Sequence, residues 1–167
     1  MTDQFEPVLI QDSREQFGWG PLFKSGYVVS GLAYGDYSVA GLEHLIAIER
    51  KSLPDLLGSL THGRERFEAE LKRARSLHKF FVVVECSLKD LLVEDFGKLS
   101  RANSRSIWGT ICVWSTRYHP IVLAGNRVDA ARLCEGLLLG YAKEFQKGQE
   151  SMRKAAGRLT AQAVIPW

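Results

Sequence analysis

The sequence predicts an α/β domain in which a mixed β-sheet lies between helices. Short β-branched runs recur along the chain, and stretches with apolar residues at helical spacing separate them. Residues 80–85 are almost wholly apolar, which indicates a central strand covered on both faces. The chain has 167 residues, 46% of them hydrophobic, and both values fit a single domain with a buried core.

The first half of the chain is predicted to begin with strands. Residues 8–11 and 27–32 form two of them, and the segment between them has the glycine and proline content of a loop. Residues 36–39 and 45–49 form a hairpin that turns near Gly41. These four strands make up the N-terminal part of the predicted sheet.

Helices and strands then alternate. Ser52 is predicted to cap a helix, because Asp55 stands three residues later, as in a capping box. A second helix follows Gly63 and places Phe67 and Leu71 on one apolar face. The later elements are a strand, a helix, a strand and a helix, at residues 80–85, 101–118, 120–124 and 129–145.

Basic side chains are concentrated in two regions. We expect residues 1–147 to form the domain and residues 148–167 to form a basic tail that is mobile until it binds a partner. The alternative for both basic regions is a solvated helix face of mixed charge, and the net charge of +3 does not decide between the two. Around the second helix, four arginines are candidates for binding phosphate groups: Arg64, Arg66, Arg73 and Arg75.

The composition excludes several classes of protein. Three separated cysteines without a C-x-x-C pair argue against structural zinc and favour buried thiols in a reducing compartment. No apolar run is long enough for a transmembrane helix, and the N-terminus lacks the pattern of a secretory signal. We therefore expect no membrane partner and an intracellular location, which is cytoplasmic in a bacterial or phage-like source and nuclear in a eukaryote.

The functional interpretation depends on Asp36, Glu49 and Lys51. Alternate side chains share one face of a strand, so Glu49 and Lys51 point together and Arg50 points the other way. The hairpin brings Asp36 beside them. Two carboxylates and an ammonium at the end of a sheet can hold Mg²⁺, which polarises a phosphoryl oxygen and lowers the pKa of bound water. A surface ion pair between Glu49 and Lys51 is the alternative that the spacing leaves open.

Several short strings resemble the signature of the XPF-type structure-specific endonucleases, and they occur in the order of that family. The resemblance covers the first half of the chain, from residue 8 to residue 85, and is weak from residue 88 onward. The strings are DSRE at residues 12–15, GD at 35–36, ERKSLPD at 49–55, DLLGSL at 55–60 and GR at 63–64.

The resemblance implies a restriction-endonuclease-like fold and Mg²⁺-dependent cleavage of branched or flapped DNA, with Mn²⁺ able to replace Mg²⁺. Asp36 and Glu49 look like metal ligands, joined by the backbone carbonyl of Arg50, and Lys51 looks like the catalytic lysine. In this interpretation Asp12 completes the acidic cluster. Supporting roles, through phosphate contacts or ordering of the ligands, fall to Arg14, Arg50 and Asp55, with Glu15 as a weaker candidate.

Two classes of function remain. The first is a DNA endonuclease in repair, recombination or phage DNA processing, and the alternative is a non-catalytic nuclease-fold subunit that docks on DNA or on a partner. Members of the family usually carry a tandem helix-hairpin-helix domain, and no such hairpin is visible after Asp129. We therefore expect DNA to be held by the nuclease domain, by the basic tail or by the second subunit of a homodimer or heterodimer.

Overall fold

A computed structural model describes the backbone of residues 6–93 and 104–162, and the side chains of residues 6–92 and 104–158. Six strands and five α-helices form in this part of the chain. The strands are β1 (Leu9–Asp12), β2 (Tyr27–Ser30), β3 (Tyr37–Val39), β4 (Ile46–Lys51), β5 (Lys79–Val84) and β6 (Ile121–Leu123). The helices are α1 (Leu53–Leu60), α2 (Arg64–Arg73), α3 (Leu88–Val93), α4 (Ser104–Arg117) and α5 (Arg127–Gln162).

The sheet is mixed, as predicted, and its strand order is β2-β1-β3-β4-β5-β6. β1 pairs parallel with β2 and antiparallel with β3, and β3 forms the predicted hairpin with β4. β4, β5 and β6 run parallel to one another. The carboxyl ends of β1, β4, β5 and β6 therefore meet the start of β3 at one edge of the sheet, where the residues of the predicted active site lie.

Two apolar cores cover the two faces of this sheet. On one face α1, α2 and α4 pack around Phe67 and Trp114. On the other face α5 packs with Trp19 and Tyr37. β5 supplies both cores, Val82 and Val84 facing one and Val83 the other, which confirms that it is a central strand buried on both sides.

Helix α3 is absent from the sequence prediction. Its first turn is closed by a capping box, in which the backbone N–H of Asp90 donates to the Ser87 hydroxyl and the N–H and hydroxyl of Ser87 donate to the Asp90 carboxylate. The helix buries Leu91 in the core. The predicted helix at residues 101–118 corresponds to α4, and residues 101–103 lie outside the described part of the chain.

The last helix is much longer than predicted. α5 continues to Gln162, whereas the sequence analysis ended it at residue 145 and assigned residues 148–167 to a tail. The predicted helix end at residue 145 was wrong, because residues 146–162 contain many good helix formers and no proline. Residues 147–158 of α5 are all exposed, and the assignment of residues 148–167 to a basic tail stays a prediction.

In the described ranges, no helix has the length and apolar character needed to cross a membrane.

Candidate active site

Asp36, Glu49 and Lys51 come together at the end of β4, as the sequence predicted. The Asp36 carboxylate accepts a 2.8 Å hydrogen bond from the backbone N–H of Arg50. The Lys51 ammonium donates to the Glu49 carboxylate, also at 2.8 Å, and both of these side chains are about 11% exposed. An ion pair this well buried differs from the exposed surface pair that the spacing alone left open.

The backbone at position 35, just before Asp36, requires a glycine. Its φ of 61° lies in the left-handed region, which glycine adopts without strain. A Cβ added at this position would lie 2.8 Å from the carbonyl oxygen of Ile48. That carbonyl accepts a hydrogen bond from the N–H of Asp36, so the close approach of the two backbones fixes where the Asp36 carboxylate lies.

The electrostatics of the site are those of crowded carboxylates. Burial, and then the charge of Glu49, raise the pKa of Asp36 to about 8. Burial lowers the pKa of Lys51, but the charge of Glu49 and its hydrogen bond outweigh burial and raise that pKa above its usual value. The Lys51 ammonium also lies 4.5 Å from the centre of the Phe67 ring, so α2 helps to hold it in place.

Glu70 is a site residue that the sequence analysis did not select. It projects from α2 into the same cavity as Asp36 and Glu49, and the cavity volume is about 260 Å³. Burial, and then the charge of Glu49, raise the pKa of Glu70 to about 7. The available signal was its position: Glu70 lies three residues after the core residue Phe67, at the edge of the apolar face of α2, and not among the fully exposed charges.

Asp12 lies at the same edge of the sheet but has other partners. Its carboxylate accepts hydrogen bonds from the Arg14 guanidinium at 2.8 and 3.0 Å and from the backbone N–H of Leu32 at 2.6 Å. The Arg14 hydrogen bond is the main reason that the pKa of Asp12 falls to about 2. Arg14, and not Asp12, borders the cavity. The structure thus gives Asp12 an anchoring role, and its catalytic role stays a prediction.

The Arg50 side chain points away from the cavity, as the strand alternation predicted. One oxygen of Glu85 accepts hydrogen bonds from the Arg50 guanidinium (2.9 Å), the Trp19 indole (2.6 Å) and the Arg127 guanidinium (3.3 Å). Arg50 also lies 3.6 Å from the Glu15 carboxylate. Because the N–H of Arg50 holds Asp36, these contacts stabilise the backbone that positions the site. The supporting role of Arg50 in catalysis stays a prediction.

Asp55 is an exposed helix cap, as predicted. Its backbone N–H donates to the Ser52 hydroxyl at 3.2 Å, and that hydroxyl donates to the Asp55 carboxylate at 2.6 Å. Asp55 also borders a second groove of about 440 Å³, which Lys51 and Arg66 share. Asp55 therefore helps to cap the first turn of α1 and borders the same groove as Lys51.

The four candidate DNA-binding arginines divide into two pairs. Arg73 borders the cavity of the carboxylates, and Arg66 borders the second groove. Arg64 instead lies over the Trp114 ring at 4.8 Å. Arg75 lies over the Tyr118 ring at 5.0 Å and donates to the carbonyl of Arg117. The structure brings one pair to the site and packs the other pair against α4 and the residue that follows it.

The donor set fits a hard divalent cation. Mg²⁺ is usually held by one or two carboxylates and several waters, so Asp36 and Glu49 suffice in a cavity large enough for waters. Among the described side chains, no three acidic, histidine or cysteine residues converge as a complete ligand set. This arrangement suits Mg²⁺ or Mn²⁺ better than zinc, which takes three or four side-chain ligands of nitrogen or sulfur type.

Comparison with solved structures defines the class of fold. XPF from Aeropyrum pernix matches with a TM-score of 0.64 and 22% identity, over 79% of this chain and 60% of that chain. The same protein in complex with DNA matches with a TM-score of 0.65 and 22% identity, over 83% and 66% of the two chains. The six-stranded mixed sheet with its flanking helices is therefore the fold of the XPF nuclease domain.

The family follows from the sequence itself. The family model of the ERCC4 domain matches residues 11–136, which is most of the chain. The chain belongs to the ERCC4 domain family, and the XPF-type resemblance of its motifs is confirmed. It spans 60–66% of the length of the Aeropyrum pernix XPF structures. No curated protein matches it.

Proposed function

We propose that this protein is a metal-dependent endonuclease that hydrolyses phosphodiester bonds in DNA. The observation that carries the proposal is the convergence of Asp36, Glu49 and Lys51 at the edge of the sheet, in a chain that belongs to the ERCC4 domain family. DNA as the substrate is supported by the similarity to an XPF structure in complex with DNA.

The ion and the side chains would have different roles in phosphodiester hydrolysis. A divalent ion at Asp36 and Glu49 would polarise the scissile phosphate and lower the pKa of bound water. Lys51 is oriented by Glu49 and Phe67, so its positive charge is in place before the transition state forms and needs no reorganisation. Arg14 and Arg73 border the cavity and offset the charge of an entering phosphate.

We infer branched or flapped DNA as the substrate, in repair, recombination or phage DNA processing, on the strength of the XPF-type motifs. The chain would act as a homodimer or heterodimer, or with a separate partner that grips duplex DNA. Trp108 and Val113 on α4 are exposed apolar side chains, and either could contact the partner in such an assembly.

A panel of labelled DNA substrates tests the proposed function. Flaps, forks, splayed arms, single strands and plain duplexes are incubated with Mg²⁺, Mn²⁺, Ca²⁺ or EDTA. We expect cleavage of branched substrates in Mg²⁺ and Mn²⁺, binding without efficient cleavage in Ca²⁺ and no cleavage in EDTA.

Two results of the same panel would contradict the proposed function. Full activity in EDTA would rule out the metal mechanism. Binding to every substrate without cleavage in Mg²⁺ or Mn²⁺ would instead identify a non-catalytic subunit that docks on DNA.

A further inference from the structure

One face of α2 carries charges of alternating sign. Arg66, Glu70 and Arg73 are spaced at i, i+4 and i+7, which places them in one row along the helix. Glu70 and Arg73 border the cavity of the carboxylates, and Arg66 borders the second groove. With a rise of about 1.5 Å per residue, the two arginines begin about 10 Å apart along the helix axis, with Glu70 between them.

The second groove has the chemistry of a phosphate subsite. The residues that border it include Lys51, Ser59, His62 and Arg66, whose side chains can donate hydrogen bonds, and the carboxylate of Asp55, which also borders it, accepts from the Ser52 hydroxyl. Among the residues described at its walls there is no phenylalanine, tyrosine or tryptophan on which a base could stack. The groove is therefore suited to a sugar–phosphate backbone and gives no means of reading base identity.

Lys51 joins this groove to the cavity. It borders the groove, and its ammonium lies 2.8 Å from the Glu49 carboxylate that borders the cavity. A strand whose reacting phosphate lies at Glu49 thus has a cationic subsite on each side, at Arg66 and at Arg73. The other two arginines of this region, Arg64 and Arg75, offer no such continuation, because they pack on Trp114 and Tyr118.

We propose that the cleaved DNA strand lies along α2, with Arg66 and Arg73 binding the two phosphates that flank the scissile phosphate. This rests on the proposed function. Successive phosphates of a stacked strand rise about 3.4 Å along the axis, so the outer two of three differ by about 7 Å in axial rise and lie further apart along the sugar–phosphate backbone, a span that two flexible arginine side chains on α2 can bridge. Each guanidinium can donate two hydrogen bonds to its phosphate.

The test couples each arginine to one phosphate. Forked DNA is synthesised with a single neutral methylphosphonate linkage at successive positions, and binding is measured in EDTA. Wild-type affinity should fall on the order of 5-fold at two positions that have one linkage between them. Arg66→Ala should be insensitive to one of these two neutral linkages and Arg73→Ala to the other, each keeping its sensitivity at the remaining position.

Lys72→Ala is the matched control. Lys72 lies on the same helix and is 56% exposed, but it pairs with Glu68 on the side that faces α4. This variant should respond to every neutral linkage as the wild type does. Arg66→Gln and Arg73→Gln repeat the measurement with most of the side-chain volume kept, and melting curves confirm that each variant is folded.

The binding measurements with neutral linkages do not require that the protein cleaves DNA. Coupling of both arginines to the same linkage, to linkages further apart, or to none would overturn the proposed strand path. Cleavage by the wild type in Mg²⁺ is measured separately and decides the proposed function. Where cleavage occurs, the cut should map to the linkage between the two coupled positions, and a cut elsewhere would also overturn the proposal.

Discussion

Glu49→Gln is expected to lose cleavage on the order of 10³-fold while the protein stays folded and still binds DNA. The substitution keeps the volume of the side chain and an oxygen that can accept from Lys51, but it removes the charge that would bind the cation. Binding should be unchanged or tighter, because a negative charge facing the phosphate is lost. Cleavage rates, binding isotherms and melting curves are measured on the same preparations.

Glu144→Gln is the control for this substitution. Glu144 pairs with Lys147 on α5, and both side chains are 72% exposed. An exposed pair of this kind contributes little to stability, so cleavage, binding and melting should all match the wild type. Wild-type cleavage by Glu49→Gln, in a preparation free of contaminating nuclease, would rule out the assignment of the site.

Asp36→Asn is expected to stabilise the metal-free protein at alkaline pH. The folded protein holds the Asp36 proton up to about pH 8, whereas an aspartate in the unfolded chain, with its ordinary pKa of 3.8, releases its proton near pH 4. Between these values the folded state binds more protons, so the free energy of unfolding falls as pH rises. Asparagine removes this loss, and at about 1.4 kcal/mol per pKa unit the gain at pH 8 should be on the order of 5 kcal/mol.

Two other acids also make stability depend on pH, so the effect of Asp36 is measured as the difference between Asp36→Asn and the wild type. Glu70, with a pKa of about 7, acts in the same direction between about pH 4.5 and 7. Asp12, with a pKa of about 2, acts in the opposite direction, and its contribution is lost as pH falls from about 4 to 2. The free energy of unfolding in urea is measured at pH 5.5 and pH 8 for the wild type, for Asp36→Asn and for the control Glu65→Gln, whose side chain is exposed. Equal differences between Asp36→Asn and wild type at both pH values would contradict the account.

The residues of the site could be predicted where they obey a local rule. The alternation of side chains along β4 put Glu49 and Lys51 on one face and Arg50 on the other, and the structure has them so. The Gly35-Asp36 pair predicted a turn, and Gly35 adopts a left-handed φ there. Both inferences need only a few neighbouring residues, and for this reason the sequence was sufficient.

Glu70 and Asp12 could not be assigned in the same way. The position of Glu70 at the edge of the apolar face of α2 marks it as a candidate, but whether its side chain faces solvent or the end of β4 depends on how the helix packs on the sheet. Whether Asp12 joins the cluster depends on which donors surround it, and Leu32, one of these donors, is 20 residues away. Such contacts between distant parts of the chain are not encoded in spacing.

The helices show the same division. The Ser52–Asp55 cap predicted the start of α1, and the Ser87–Asp90 pair has the same spacing and could have predicted α3. The end of α5 could not be located from the loss of apolar periodicity at residue 145, because the helix continues beyond the domain on helix propensity alone. Apolar spacing reports where a helix packs, and it does not report where the helix ends.

The central claim, that a metal ion at Asp36 and Glu49 acts directly on the scissile phosphate, is tested most directly by sulfur substitution. One non-bridging oxygen of that phosphate is replaced by sulfur, and the rates of the two diastereomers are measured in Mg²⁺ and in Mn²⁺. Mg²⁺ prefers oxygen ligands more strongly than Mn²⁺ does. For one diastereomer we predict a rate loss of about 10-fold or more in Mg²⁺ that Mn²⁺ largely restores. Equal losses in both metals, or none for either diastereomer, would contradict direct contact between the metal and the phosphate.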